Sequence, residues 1–262
     1  MSSSPVLWQV DSRGVATITF NRPEVNNAYD DGFIAGVLRA MDDLGKESSL
    51  RVVALRGAGK HFQAGADLKW IRSLTACSAE DNVVASRDTA TAVRRLNQLP
   101  VPTVALVQGA CFGGGTGIVA ACDVVIAADN ALFSIAETRW GLIASIIIPQ
   151  LADAMGVRQL RRYAQTGERF DAHEARRIGL VHEVVPLDEL AAAGARVVDH
   201  LLQNAPQANA QTKALALDCA RGKMSAEIFD RLVSQHAAKR QSEEAAEGLA
   251  SFAEKRAARW YR

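Results

Sequence analysis

The chain has 262 residues, 48% of them hydrophobic, enough for one large core or a domain with an appendage. Lys plus Arg number 30 and Asp plus Glu 29, a net charge of +1. That balance gives no field to recruit nucleic acid or an anionic membrane, so an anionic ligand has to be met locally. The longest apolar run, Leu142 to Ile148, stops at Pro149 and is too short to span a bilayer. Cys77, Cys111, Cys122 and Cys219 are widely spaced without a CxxC pair, and the opening MSSSPVLW lacks a basic leader. Both features point to reduced thiols and a cytoplasmic location.

In chain order, Val6 to Val10, Val15 to Phe20 and Val52 to Arg56 read as strands, the first two joined by the turn Asp11-Ser12-Arg13-Gly14. Between them, Phe33, Ile34, Val37, Leu38, Met41 and Leu44 recur at helical spacing from Asp30 to Gly45. The Gly57-Ala58-Gly59-Lys60 loop lacks the spacing and the hydroxyl of a phosphate loop. A short β run then reaches Gly65, and a helix starts at Asp67. Ser73 to Asp81 is small, polar and expected to be mobile. A helix from Asp81 to Leu99 ends before Pro100.

Thr103 to Gln108, Asp123 to Ala127, Ala131 to Ile135 and Val181 to Val185 read as further strands. Helices are expected over Ile148 to Met155, Val157 to Thr166 and Asp171 to Ile178. Beyond Leu187 the chain is alanine-rich and helical: Leu187 to Leu202, Pro206 to Arg221 and Ala226 to Arg259. Lys239 with Glu243 and Arg240 with Glu244 have the i, i+4 spacing of helical ion pairs, whereas Glu243 with Glu247 and Lys255 with Arg259 would repel. Such a helical tail either caps the core or packs on another subunit.

The stretch that organises the chain is Val104 to Ala121, where an apolar strand meets Gly113-Gly114-Gly115 and then small residues able to form a helix. Missing Cβ atoms leave backbone N–H groups open to a ligand at a helix start. Ala64-Gly65-Ala66-Asp67 repeats the design. Two such donors converging on one carbonyl oxygen form an oxyanion hole, and Glu137 supplies a carboxylate in a loop after a strand.

These residues, in order, resemble the enoyl-CoA hydratase/isomerase, or crotonase, superfamily. The likeness runs through Asn21-Arg22-Pro23-Glu24, Asn27-Ala28, His61 to Lys69, Gln108 to Gly115, Cys122-Asp123, Phe133 to Glu137, Gly141-Leu142, Thr166 to Arg169, Ala175 to Val181 and Phe252 to Arg256. It implies an α/β fold, a spiral of repeated ββα units over residues 1–190, followed by a helical trimerisation segment over 191–262. It also implies an acyl-CoA substrate and a homotrimer or hexamer. Ala66 and Gly114 then correspond to the donors to the thioester oxygen, and Glu137 to a catalytic acid. Ala64, Asp67 and Gly113 belong to the same substrate-binding loops. Lys69, together with Phe252 and Lys255 from a neighbouring subunit, matches positions that contact coenzyme A, with a surface lysine and a helix-packing pair as the plainer alternatives.

One position departs from the pattern. Hydratases with two catalytic glutamates carry the first just after the triple glycine, where this chain has Gly117. A lone Glu137 must then manage both protons of a hydration through its two oxygens, or a water chain must help, and it also suits a 3,2-enoyl-CoA isomerase that shuttles one proton. Local likeness at Phe112 to Val119, Phe133 to Leu142 and Arg161 to Asp171 favours a hydratase of the bacterial methylglutaconyl-CoA and isohexenylglutaconyl-CoA type. Arg139 is then placed to meet a substrate carboxylate, or else bonds its own loop.

Two rival readings differ in class. Gly115 to Ala120 fits the GxGxxA of a dinucleotide fold, with Glu137 as its ribose acid, although the Ala64 to Asp67 loop has no place there. Gly117 also admits a non-catalytic acyl-CoA binder. Five scattered histidines lack metal-ligand spacing, so no metal and no cofactor beyond the coenzyme A of the substrate are expected. Tyr163 and Trp140 read as packing residues.

Overall fold

A computed structural model describes residues 4–219, 226–240 and 242–261. The strands are Val6–Val10 (β1), Val15–Phe20 (β2), Val52–Gly57 (β3), Thr103–Val107 (β4), Ala110–Phe112 (β5), Val124–Ala128 (β6), Leu132–Ser134 (β7), Arg169–Asp171 (β8) and Glu183–Val185 (β9). The helices are Asp31–Leu44 (α1), Leu68–Leu74 (α2), Ala79–Asn97 (α3), Gly114–Ala120 (α4), Ile148–Thr166 (α5), Ala172–Arg177 (α6), Leu190–Gln203 (α7), Pro206–Cys219 (α8), Ala226–Arg240 (α9) and Glu243–Ala253 (α10).

The main sheet runs β1-β2-β3-β4-β6-β9, antiparallel only between β1 and β2, and the second sheet runs β5-β7-β8. An isolated parallel bridge from Gln63 to Cys111 carries the second layer back one further turn. The chain is therefore a spiral: each turn lays one strand in the main sheet, a shorter one in the second layer, and then bends toward a helix. Because the main order advances in one direction, it has no point where strand order reverses, and the dinucleotide-fold alternative is excluded.

Period-two alternation divides the core. Ala105, Val107, Val125 and Ala127 face a large core with Phe20, Phe62 and Leu96, while Val104, Ile126 and Val185 face Leu190, Ala193 and Val198 of α7. Helix α7 thus covers one face of the main sheet. Asp30 starts α1 by accepting from the Phe33 amide, and Phe33, Ile34, Val37, Ala40, Met41 and Leu44 form its buried stripe.

The helices expected over Ile148 to Met155 and Val157 to Thr166 form as two arms of α5 that meet at Gly156, whose non-helical φ of +74° and ψ of 151° only glycine adopts at little cost. Other elements differ from the sequence expectation. Strands β5 and β8 went unforeseen because glycines or charged residues flank them, without the neighbouring apolar residues that marked the equally short β7 and β9. The last stretch, expected as one helix, breaks where Ser242 caps α10. Its ion pairs follow that break: Lys239 Nζ meets Glu244 Oε2 at 2.7 Å, five residues away. Arg256 and Arg259 both bind Glu247, so the expected Lys255–Arg259 repulsion has no helix to act through. Residues 220–225 and 241, inside or beside the expected tail helices, lie outside the described residues. The Ser73 to Asp81 stretch holds the end of α2 and the start of α3, joined by Asn82 Nδ2 donating to the Leu74 and Ser78 carbonyls. No helix among the described residues is long and apolar enough to cross a membrane.

Candidate active site

Three successive turns of the spiral each leave the second layer at an equivalent place. After Gln63 comes Gly65-Ala66, after β5 comes Gly113-Gly114, and after β7 comes Glu137. The repeat therefore gathers residues about 25 to 70 positions apart onto one end of the short strands.

The first two turns touch. A Cβ built on Gly113, whose φ is +50°, would lie 3.8 Å from Gly65 Cα and 3.0 Å from Glu137 Oε1. One built on Gly65 would lie 3.4 Å from the Phe112 carbonyl oxygen. Loop, loop and carboxylate thus meet at van der Waals distance. The Gly113 N–H is used internally, donating to the Ser134 carbonyl at 2.8 Å and pinning the glycine turn to the strand that leads to Glu137. Among the described residues the Ala66 and Gly114 N–H groups have no hydrogen-bond acceptor, Ala66 because its bridge to Tyr29 uses its neighbours' groups, Gly114 because it opens α4.

Glu137 opens a 3-10 turn, Glu137–Trp140, and is half-buried. Its Oε2 is buried without a hydrogen-bond partner among the described residues. Loss of water around the carboxylate raises its pKa above the ordinary glutamate value. Two free N–H donors beside a carboxylate of raised pKa can polarise a carbonyl and exchange a proton with the carbon next to it.

Two residues not singled out from sequence shape this site. Gln63, fully buried, clamps the Gly65 peptide from both sides: its Nε2 donates to the Gly65 carbonyl at 2.9 Å and its Oε1 accepts the Gly65 N–H at 3.0 Å. A Cβ on Gly115 would come within 2.6 Å of that same Oε1, so Gln63 sits between the two turns. Ile147, 2% exposed, fills the space beside Gly117, where a Cβ would meet its Cγ2 at 2.1 Å. Gln63 lies in the His61 to Lys69 stretch that carries the family likeness but had no role attached to it, and Ile147 offered no signal.

The other expected site residues are spread around this centre. The Ala64 N–H donates to the Asn26 carbonyl. Asp67 caps α2 through the Lys69 amide and takes Arg22 on its other oxygen at 3.2 Å, while Arg22 also holds Asp30 at 2.8 Å. Lys69 is exposed at the start of α2. The Arg139 guanidinium lies over the Gly167 turn, with Nη2 at 3.5 Å from the Thr166 carbonyl, so it reaches the end of α5 rather than its own loop. Phe252 is 87% exposed on α10, and Lys255 follows in a left-handed conformation. Tyr163 is buried and donates to Glu174, as a packing residue would. Trp140 does not pack: it is 67% exposed on the Glu137 turn, because the turn ends at left-handed Gly141 and carries the ring outward.

The fold is matched by known proteins. Residues 11–262 fit the model of the enoyl-CoA hydratase/isomerase family. A putative enoyl-CoA hydratase from Thermus thermophilus is 32% identical over 253 residues, 96% of this chain and 99% of that one. A mitochondrial delta(3,5)-delta(2,4)-dienoyl-CoA isomerase from Dictyostelium discoideum is 33% identical over 256 residues, 94% of this chain and 87% of that one. A solved enoyl-CoA hydratase from Shewanella pealeana superposes with a TM-score of 0.93 at 35% identity, covering 98% of this chain and 96% of its own. The chain belongs to the enoyl-CoA hydratase/isomerase family, and it is an enzyme with the crotonase fold.

Proposed function

We propose that this enzyme adds water across the α,β double bond of an enoyl-CoA thioester, with a branched or carboxylated, glutaconyl-type acyl group as its substrate class. The observation that carries the reading is Glu137, whose Oε1 lies 3.0 Å from the Cβ position of Gly113, beside the unpartnered Gly114 N–H. Ala66 and Gly114 hold the thioester oxygen, where negative charge collects as the β-carbon is attacked; losing one such donor typically costs about 10² to 10³ in rate. Glu137 takes a proton from water and returns it to the α-carbon, so that one carboxylate completes the cycle. Ala64, Asp67, Gly113 and Lys69 line the entry of the coenzyme A portion. Phe252 and Lys255 reach the coenzyme of a neighbouring subunit in a homotrimer or hexamer. Support for the tail's role is its exposed aromatic, which no described residue of the chain covers.

A second reading has its own support. One carboxylate suffices for 3,2-enoyl-CoA isomerisation, and the Dictyostelium relative is named as an isomerase. Incubation with crotonyl-CoA, 3-methylglutaconyl-CoA and a 3-enoyl-CoA separates the two. Hydration removes the conjugated absorbance of the first two, with the methylglutaconyl thioester turning over faster. Appearance of conjugation from the 3-enoyl thioester without hydration would replace lyase by isomerase. No reaction with any of them, together with tight acyl-CoA binding, would leave a non-catalytic binder.

A further inference from the structure

We propose that Tyr29 is the second polar group of the reaction centre, its hydroxyl holding the reacting water beside Glu137 in the absence of a second carboxylate. This rests on the hydratase reading above.

Four observations place it there. The Tyr29 backbone is tied to the first donor loop: its N–H donates to the Gly65 carbonyl at 2.9 Å and its carbonyl accepts the Asp67 N–H at 2.8 Å, on either side of Ala66. Its ring lies against the second donor loop, since a Cβ on Gly114 would be 2.6 Å from Tyr29 Cε1 and 3.3 Å from Cζ, the carbon that bears the hydroxyl. Glu137 Oε1 flanks the preceding residue, lying 3.0 Å from the Cβ position of Gly113. The hydroxyl-bearing edge of the Tyr29 ring and the carboxylate therefore border consecutive residues of one glycine turn. The hydroxyl also has no hydrogen-bond partner among the described residues, and it is not sealed off as Glu137 Oε2 is.

The ring is fixed as well as placed, packing edge-on against Trp70 with centroids 5.5 Å apart. Burial, and then the nearby Glu137 charge, push the Tyr29 pKa up to about 12, so the phenol keeps its proton at neutral pH. A neutral hydroxyl can accept one hydrogen bond from water while it donates another. The side of α4 that could have offered a carboxylate is closed by Ile147 against Gly117.

The step balances without any added reagent. Water bonds one hydrogen to Glu137 and the other to the Tyr29 oxygen, leaving a lone pair for the β-carbon. As the C–O bond forms, Glu137 takes the first proton and the π electrons move toward the thioester oxygen. Glu137 then delivers that proton to the α-carbon. Tyr29 ends with the proton it began with, so it is a positioning residue.

Tyr29→Phe keeps the ring and removes only the hydroxyl. Two reactions are compared: hydration of whichever enoyl-CoA the wild type turns over fastest, and exchange of α-hydrogens of butyryl-CoA with deuterated solvent. Exchange needs Glu137 and the two donors but no attacking water. The expected result is a fall in hydration kcat of about 10²-fold, what a misplacement of about 1 Å costs, with KM and the exchange rate within twofold of wild type. Equal losses in both reactions, no loss in either, or a rise in KM alone would overturn the proposal. Wild-type enzyme that exchanges α-hydrogens yet hydrates none of the thioesters would remove the hydratase reading, and the role of Tyr29 with it.

Discussion

Gly117→Ala probes whether this site can hold a second acid at all. The added Cβ would stand 2.1 Å from Ile147 Cγ2 and 2.6 Å from Ile147 Cβ, where ordinary contact begins near 3.4 Å. Ile147 is 2% exposed, and its turn packs against α3, α4 and α5, so it cannot simply rotate into solvent. Overpacking of a tight core costs about 1–3 kcal/mol. At about 2–4 °C per kcal/mol for a domain of this size, Tm should fall by roughly 2 to 12 °C. Ile147→Ala alone removes buried methyl groups and should cost about 2–5 kcal/mol. In that background the Gly117→Ala penalty should shrink, giving a favourable coupling of about 0.5–3 kcal/mol. Thermal unfolding of the four proteins under one set of conditions measures it. A Gly117→Ala Tm within about 1 °C of wild type, or an undiminished penalty in the Ile147→Ala background, would refute the reasoning. The functional corollary is that Gly117→Glu needs Ile147 trimmed before it can act.

Further outcomes follow from the same geometry. Glu137→Gln should lower turnover by at least about 10²-fold, the lower end of what a positioned base supplies. The same change should raise Tm at pH 7 by about 2–4 °C for each kcal/mol of burial penalty released. Because the folded pKa of Glu137 is raised, its protonated form suits the fold better. That contribution is full below the ordinary carboxyl range and lost as pH rises through the raised value, so the Tm advantage of Gln should close in acid. The acid limb of kcat/KM should sit above the usual glutamate range; a limb at or below that range contradicts the burial argument. Gln63→Met conserves volume but leaves the Gly65 N–H without its side-chain acceptor. It should cost about 1–3 kcal/mol in stability and, by loosening the donor loop, up to about 10²-fold in kcat. Unchanged kcat would show that the clamp serves stability alone.

Neighbouring residues were enough to set the framework. Alternation in Val15–Phe20 and Val104–Val107 fixed which residues face each side of the sheet, and the Asp30 cap with the Phe33-to-Leu44 stripe fixed α1. The glycine turns at Gly65 and Gly113 were legible because only a side-chain-free backbone lets two loops approach so closely, and Glu137 stood out as an acid directly after a strand. Chemistry of this kind is local, so a linear reading reaches it.

Contacts between distant turns settled the rest. That Gln63 abuts Gly115, that Tyr29 joins one donor loop to the other, and that Ile147 fills the space beside Gly117 depend on how the turns of the spiral stack, and pairings across roughly 30 to 90 residues are encoded by no periodicity. The three-residue strands β5 and β8 exist only because adjacent turns of the spiral supply their hydrogen-bond partners. Arg139 and Trp140 are adjacent in sequence, yet the left-handed Gly141 turn sends one back over Gly167 and the other into solvent. Direction in space is set by packing, and packing is a property of the whole chain.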